Sequence, residues 1–451
     1  MNDVVVLIPG IMGSAIEKNG VPIWDASLAA GGRLLWTLGK SLDALALSSD
    51  SDTGADAKAT RLMPDVHMIP FFWKIDGYSA LSKYIQSTLN LTMGEDYFEF
   101  AYDWRLDNRI SARRLQQAAS GWLEQRRKQY PDARLVVVGH SMGGLVARYF
   151  IEVLGGWRDT RRLITLGTPH RGSVKALDAL CNGLQKHIGS VTLLNLSSLI
   201  ETFPSAYQLL PIYPCVGKTA DRLEPLEQIT QKMIGRLDLD RARHGVEFHR
   251  EIERAVKKNQ EDAAYGYRIL PVVGTEQPTL LSAVLTDQGV QSLRTYKGKT
   301  MLGGDGTVPR VSATPIELSN RGLEMFAACP HASLQNFDPV RTQMKSVVND
   351  IDISQMKAVA AAEVSLDLPD AIGVTEALIA RARCPGSLDP IRANIRSLDT
   401  NLVREAEFAD ESDGSGWEIL RVPNLDAGTY RIRVDAGPGS EPIEDLFAVV
   451  E

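Results

Sequence analysis

The chain has 451 residues, 44% of them hydrophobic and 23% charged, with a formal net charge of −7. That composition belongs to a soluble globular protein with room for a large core and a second, smaller domain, and it speaks against a disordered or fibrous chain. The acidic balance argues against nucleic acid as a partner, and the basic run Arg126-Arg127-Lys128 reads as the solvated end of a helix.

The first element is Val4-Val5-Val6-Leu7-Ile8, a short apolar run closed by Pro9-Gly10 and read as a buried strand. It has no basic flank and is too short for a leader, and no other run reaches the length of a membrane span. A cytoplasmic location without a signal peptide is therefore expected. Residues from about 17 to 75 are irregular, with Leu35, Leu38, Leu42 and Leu45 at helical spacing, and read as a lid insertion. A helix is expected over 78–90 and a strand over 97–102. The next helix carries Leu115, Ala118, Ala119, Trp122 and Leu123 on one face. A strand over 134–138, a glycine-flanked turn, a helix over 143–154 and a strand over 162–166 follow.

Strands alternating with helices over short links predict a mostly parallel sheet whose strand C-termini share one edge, where ligands bind. Pro9-Gly10, the turn at Gly139 to Gly143, and Gly167 to Gly172 should then face one crevice. Residues 173–265 are richer in helix signals and read as a cap. A strand over 267–273, a glycine-rich turn at 303–306, a strand over 324–328 and a helix over 338–349 return to the sheet. These elements make up a domain of residues 1–360. Beyond it the texture changes to short strand candidates at 363–368, 417–422, 429–434 and 445–450, with a turn at Asn424 to Gly428. Residues 361–451 read as a small β-rich, sandwich-like domain. Cys181, Cys215, Cys329 and Cys384 have no C-x-x-C spacing, so reduced thiols are expected rather than a zinc site or a disulfide framework.

The most informative stretch is Leu135-Val136-Val137-Val138-Gly139-His140-Ser141-Met142-Gly143-Gly144. A β-branched strand, a serine between glycines and a helix-forming run are the mechanical description of the G-x-S-x-G elbow of α/β-hydrolases. A serine hydroxyl is protonated at neutral pH and needs a base oriented by a carboxylate. In this fold the chain order is serine, acid, histidine. His331, in a loop after a strand, suits the base. His170 is its nearest rival, because its loop borders the same crevice. His187, His244 and His249 sit in helical, polar surroundings and read as surface residues. Asp305, on the glycine-rich turn before Thr307-Val308-Pro309, suits the acid. The backbone N–H of Met142 would form half of an oxyanion hole, and that of Ile11 the other half.

Several motifs, in order over roughly residues 3–350, resemble the lecithin:cholesterol acyltransferase family of α/β-hydrolases, which includes lysosomal phospholipase A2. They are Ile8-Pro9-Gly10-Ile11-Met12-Gly13-Ser14, Tyr102-Asp103-Trp104-Arg105, the elbow, Phe203-Pro204-Ser205-Ala206-Tyr207-Gln208-Leu209-Leu210-Pro211, and Gly304-Asp305-Gly306-Thr307-Val308-Pro309. The resemblance implies acyl-ester chemistry on lipids, with Ser141, Asp305 and His331 as triad and Ile11 with Met142 as oxyanion donors. The chain departs from the family in having no cysteine before Cys181, in a poorly matched lid between 17 and 70, and in the domain at 361–451.

Trp36, His140, His170 and Tyr207 are the candidate substrate-binding residues. The expected substrate is a lipid or another acyl ester, met through transient membrane contact, and the chemistry needs neither metal nor organic cofactor. A carboxylesterase, thioesterase or acyltransferase would use the same triad. A reading of another class makes the chain a partner-regulated effector, with a protein bound through 361–451.

Overall fold

The computed structural model describes residues 1–25, 44–47, 56–64, 67–69, 73–183, 185–188, 191–195, 197–228, 237–286, 289–300, 303–319, 324–348, 363–387, 389–411 and 413–450. Six strands form one wholly parallel sheet, in spatial order Met325–Ala327, Arg268–Gly274, Thr160–Leu166, Leu135–His140, Val4–Ile8 and Tyr97–Glu99. The middle strands are buried along their whole length, as a sheet covered on both faces requires. This is why they read as continuous apolar runs rather than alternating ones. The chain runs from the Val4 strand outward to the Tyr97 strand, then crosses back to the Leu135 strand. The order of strands therefore reverses between Val4–Ile8 and Leu135–His140, and the ends of those two strands flank the crevice that such a reversal leaves. This is the parallel sheet expected from the strand–helix alternation, and it fits the α/β-hydrolase fold expected from the glycine-flanked serine.

Helices Asn108–Arg127 and Met142–Arg148 cover the sheet. The first buries Leu115, Ala119 and Leu123 and is capped by Asp107, whose carboxylate accepts the N–H of Arg109. The second continues into a wider π turn over Tyr149–Val153 rather than the single α-helix expected over 143–154.

The insertions differ more from expectation. The lid region contains a three-stranded antiparallel sheet of Val21–Trp24, Ser14–Lys18 and Ala57–Leu62, where no strand was read. The region read as a cap holds one long helix, Leu239–Asn259, and the strands Arg222–Glu224 and Val216–Thr219, which are joined in a four-stranded sheet by Ser282–Thr286 and Gly289–Leu293 from beyond its expected end at residue 265. The cap strands are short and partly polar, so neither period stands out locally; pairing between distant segments makes them strands.

From Ser365 onward two sheets face each other. Four strands, Ser365–Asp367, Leu378–Arg383, Glu418–Val422 and Ala409–Asp410, form one. Five strands, Ala371–Gly373, Ile443–Val450, Gly428–Asp435, Arg392–Ser397 and Val403–Glu407, form the other, antiparallel except where Ala371–Gly373 joins. Burial alternates along Leu378–Arg383, and Ile372, Ala380, Ile395, Leu420, Ile432 and Phe447 meet in a core of their own. Asn424, with φ of 56°, makes the turn read at 424–428.

Candidate active site

Ser141 sits between the strand Leu135–His140 and the helix Met142–Arg148 with φ 52° and ψ −125°, a conformation that L-residues adopt only under constraint. The constraint is visible on both sides. Its N–H donates to the carbonyl of Leu166 at 2.8 Å. A Cβ on Gly143 would lie 2.3 Å from the Pro9 carbonyl oxygen, so only glycine lets the elbow helix close on the first loop. The hydroxyl is thereby held at the strand end, in a site from which solvent is nearly excluded (Ser141 is 4% exposed).

His331 comes from the loop directly after the edge strand Met325–Ala327, and Asp305 from a turn that the chain reaches only after Ser282–Thr286 and Gly289–Leu293, beyond the strand Arg268–Gly274. His331 Nδ1 lies 2.7 Å from Asp305 Oδ2, and His331 Nε2 lies 3.0 Å from Ser141 Oγ. A carboxylate only accepts, so Nδ1 carries the proton and Nε2 is left as acceptor for the serine hydroxyl. The other oxygen of Asp305 accepts the N–H groups of Thr307 and Val308, and its main-chain carbonyl accepts the N–H of His331 at 2.8 Å. Acid and base are thus bonded through both side chain and backbone. Gly167, with φ of 57°, packs on this pair, where a Cβ would sit 2.9 Å from the carboxylate and 3.0 Å from the imidazole.

The loop after the first strand is pinned at nearly every polar atom. The Tyr102 hydroxyl donates to the Pro9 carbonyl, Gly13 N–H to the Gly10 carbonyl, and Trp24 Nε1 to the Met12 carbonyl. Gly10 N–H donates to the Tyr78 hydroxyl oxygen at 2.8 Å. No acceptor among the described residues takes the N–H of Ile11. The N–H of Met142, at the first turn of its helix, has no intrahelical partner either.

Tyr78 was not read from the sequence, where it is one aromatic at the start of an ordinary helix. Its hydroxyl lies 2.8 Å from His140 Nδ1, and His140 Nε2 lies 3.3 Å from the carbonyl of His331. The carbonyl requires a proton on Nε2, so Nδ1 accepts from Tyr78. Burial, and then the neighbouring imidazole of His331, pull His140 down to about 3, so it is neutral beside the base. Burial also pushes the Tyr78 phenol up, keeping it a donor. His140 therefore bridges Tyr78 to the base loop.

Tyr102 to Arg105 explain themselves as a knot. Asp103 and Arg105 form a bidentate pair with both side chains almost fully buried, and Arg105 also donates to the Leu45 carbonyl. Trp104 Nε1 donates to the Ser14 carbonyl, and the Ser205 hydroxyl donates to the Trp104 carbonyl. First loop, lid and cap are joined at one place.

The remaining candidates are placed as follows. Trp36, with Leu35, Leu38 and Leu42, lies outside the described residues. His170 Nε2 lies 3.2 Å from Thr165 Oγ1, and its ring lines a small recess with Arg148, His249 and Glu317; burial, and then Arg148, hold it well below the usual histidine range. The imidazole at Ser141 is that of His331. Tyr207 is buried in the cap beneath the Arg241 guanidinium. His249, read as a surface residue, is instead 2% exposed: Nε2 meets the Gln208 carbonyl at 2.7 Å, and burial brings it down to about 4. Nearly half of its helix is charged, and those charges mask in the sequence the apolar stripe that carries it inward.

Among the described residues no group of three metal-ligating side chains occurs, and no helix is long and apolar enough to cross a membrane.

Residues 39–234 match the family model described as lecithin:cholesterol acyltransferase. That stretch carries the Tyr102 knot, the elbow and the Phe203 to Pro211 motif, so the resemblance read from the motifs stands. No curated protein matches the chain. Among solved structures it is similar to the mature form of Bacillus licheniformis lipase BlEst2, at 13% identity over 76% of this chain and 91% of that chain with a TM-score of 0.34. The propeptide form of that lipase gives 11% identity, 99% and 92% coverage and a TM-score of 0.35. CopC from Methylosinus trichosporium OB3b gives 21% identity over 19% of this chain and 85% of that chain, at 0.15. The fold rests on the strand order itself.

Proposed function

We infer that this lecithin:cholesterol acyltransferase-like α/β-hydrolase is a serine-dependent enzyme that cleaves acyl esters of lipids, of the phospholipase or lipase kind. The observation that carries the reading is the serine held at positive φ with an imidazole nitrogen 3.0 Å from its oxygen and a buried carboxylate 2.7 Å behind that ring. The family match supports the ester chemistry and the lipid class.

The roles follow from the hydrogen bonds. Ser141 Oγ attacks the ester carbonyl carbon as its proton passes to His331 Nε2. The carbonyl oxygen becomes an oxyanion facing the N–H groups of Ile11 and Met142, each such donor stabilising the transition state by roughly 3–4 kcal/mol. Asp305 holds the tautomer and steadies the imidazolium without taking its proton. His331 then returns the proton to the departing alkoxide, the C–O bond breaks, and an acyl-serine remains. Water, or a lipid alcohol, attacks that ester with His331 again as base, releasing the acid or a new ester and restoring Ser141. Contact with a lipid surface is expected to be transient, since the net charge is negative.

Ser141→Ala should lower turnover by about 10⁴–10⁶ with an unchanged unfolding transition. Near-normal turnover by that variant would overturn the assignment. Comparing long-chain phospholipid in vesicles with short-chain soluble esters tests the substrate class. Activation by vesicles is expected, and activity on soluble esters alone would return a carboxylesterase.

A further inference from the structure

The β-sandwich lies outside the family resemblance; besides ion pairs to Arg294 and Lys175, it grips two segments that bear on the site. Residues 73–78 run between the sandwich and the loop that carries His331. On one side Lys74 Nζ lies 2.6 Å from Asp445 Oδ2 and 3.2 Å from Asp370 Oδ1, and the Arg431 guanidinium pairs with both oxygens of Asp76. On the other side Asp76 N–H donates to the carbonyl of Ala332 at 3.1 Å. Asn336 Nδ2 donates to the Asp76 carbonyl and Gln335 Nε2 to the Gly77 carbonyl. The residue gripped by the sandwich therefore bonds to the residue after His331.

A second path reaches the acid. Gln277 is 2% exposed and spans the gap between the Asp305 turn and the first sandwich strand. Its backbone N–H donates to the Gly304 carbonyl at 3.0 Å, and its main chain bridges to Asp305. Its side chain donates from Nε2 to the Val364 carbonyl and accepts the Leu366 N–H at Oε1, both at 3.1 Å. The amide both donates to and accepts from sandwich backbone, with a longer bond from Nε2 to the Thr275 carbonyl at 3.4 Å, and no other residue type of that length offers both a donor and an acceptor.

These contacts are not those of an inert cover. A cleft of about 400 Å³, lined by Asp76, Cys329, Ser333, Asn336, Arg341 and Arg431, lies at this junction. What crosses it is directional: ion pairs and backbone hydrogen bonds that fix position, where apolar packing would only fix proximity. Asp445, the one acidic or basic residue buried among the described residues of the sandwich, pairs with Lys74.

We propose that the C-terminal sandwich is a clamp that holds the acid and base loops in register with Ser141, with Gln277, Asp76 and Arg431 as positioning residues. The clamp rests on the ester-hydrolase reading. It acts on kcat, because it sets where the imidazole sits rather than what the substrate touches. Displacing a reacting group by about 1 Å can cost about a hundredfold, so partial release should cost about tenfold.

The test uses the full chain with Arg431→Ala, Arg431→Lys, Gln277→Ala and Gln277→Glu, and Arg392→Ala as a control on an exposed sandwich face away from both loops. The readouts are kcat and KM on a soluble ester and the rate at which a fluorophosphonate labels Ser141. Arg431→Ala and Gln277→Ala should each lower kcat and labelling together by about tenfold, with KM within about twofold. Arg431→Lys should recover most of the loss, Gln277→Glu should fall between wild type and Gln277→Ala, and Arg392→Ala should match wild type. Folded Arg431→Ala and Gln277→Glu with wild-type kcat, or a change in KM alone, would overturn the clamp. Arg431 is partly exposed, so its variants keep the test open should Gln277→Ala not fold. Ser141→Ala run alongside separates the two readings: an active Ser141→Ala defeats the hydrolase assignment, whereas an inactive one with unaffected clamp variants defeats only the clamp.

Discussion

The parallel sheet and the C-terminal sandwich solve the same burial problem with opposite use of polar groups. The hydrolase body buries Asp103 with Arg105, Arg148 with Glu152, Asp305, and the imidazoles of His140, His170, His249 and His331. The sandwich buries only Ser365, Ser397 and Asp445 among its described polar residues, and Asp445 points to the body. A parallel sheet opens every strand end onto one edge, and the loops there must satisfy many backbone groups with side chains. A sandwich of mostly antiparallel strands satisfies its backbone through its own ladders, so its interior can stay apolar. Among the described residues buried charge is concentrated in the hydrolase body, and in the sandwich it marks the junction with that body.

The largest expected effect is in stability. Asp103→Ala strands Arg105 in the core and should cost about 3–5 kcal/mol. Breaking the exposed Arg392–Glu407 pair in the sandwich by Arg392→Ala should cost less than about 1 kcal/mol. Urea unfolding of the two variants measures the contrast, and equal costs would break it.

Acid should sharpen it further. His140 and His249 are held at about 3 and about 4 when folded, and His170 is also lowered, each chiefly by burial. In the unfolded chain they take up protons near pH 6.5. Between there and about pH 4 the unfolded state binds more protons, so stability falls as pH falls, by up to about 1.4 kcal/mol per unit for each histidine. Residues 361–451 contain no histidine. Hydrogen exchange at pH 7 and pH 5 should show the parallel sheet losing protection while the sandwich strands do not lose it from this cause.

A smaller effect separates tyrosines. Tyr78→Phe leaves Gly10 N–H and His140 Nδ1 without the hydroxyl they share, and kcat should fall by about tenfold to a hundredfold. Tyr430→Phe in the sandwich loses one bond to the Asp426 carbonyl and should cost about 1 kcal/mol of stability with kcat unchanged. Steady-state kinetics and melting of both variants decide this.

Much of the fold was legible because its signals are local. Val4–Ile8 and Leu135–Val138 are apolar throughout, the helix 108–127 has a clear stripe, and the glycines from 139 to 144 flank a serine between a strand and a helix. The candidate acid and base were reachable from chain order, since loops after successive strands of one sheet end on one edge. Tyr78, Gln277 and the inward turn of His249 carry no such signal, because their partners are 62, 87 and 41 residues away. The cap sheet is likewise built from Val216–Thr219 beside Ser282–Thr286, a pairing that no window of sequence contains.

By itself, then, the sequence determined which segments become strands and helices of the central layer and which serine is set on a strained turn, because periodicity and glycine placement act over a few residues. Only the tertiary structure decided which distant groups close around that serine. A hydrogen bond between loops depends on where packing delivers them, and packing is a property of the whole chain.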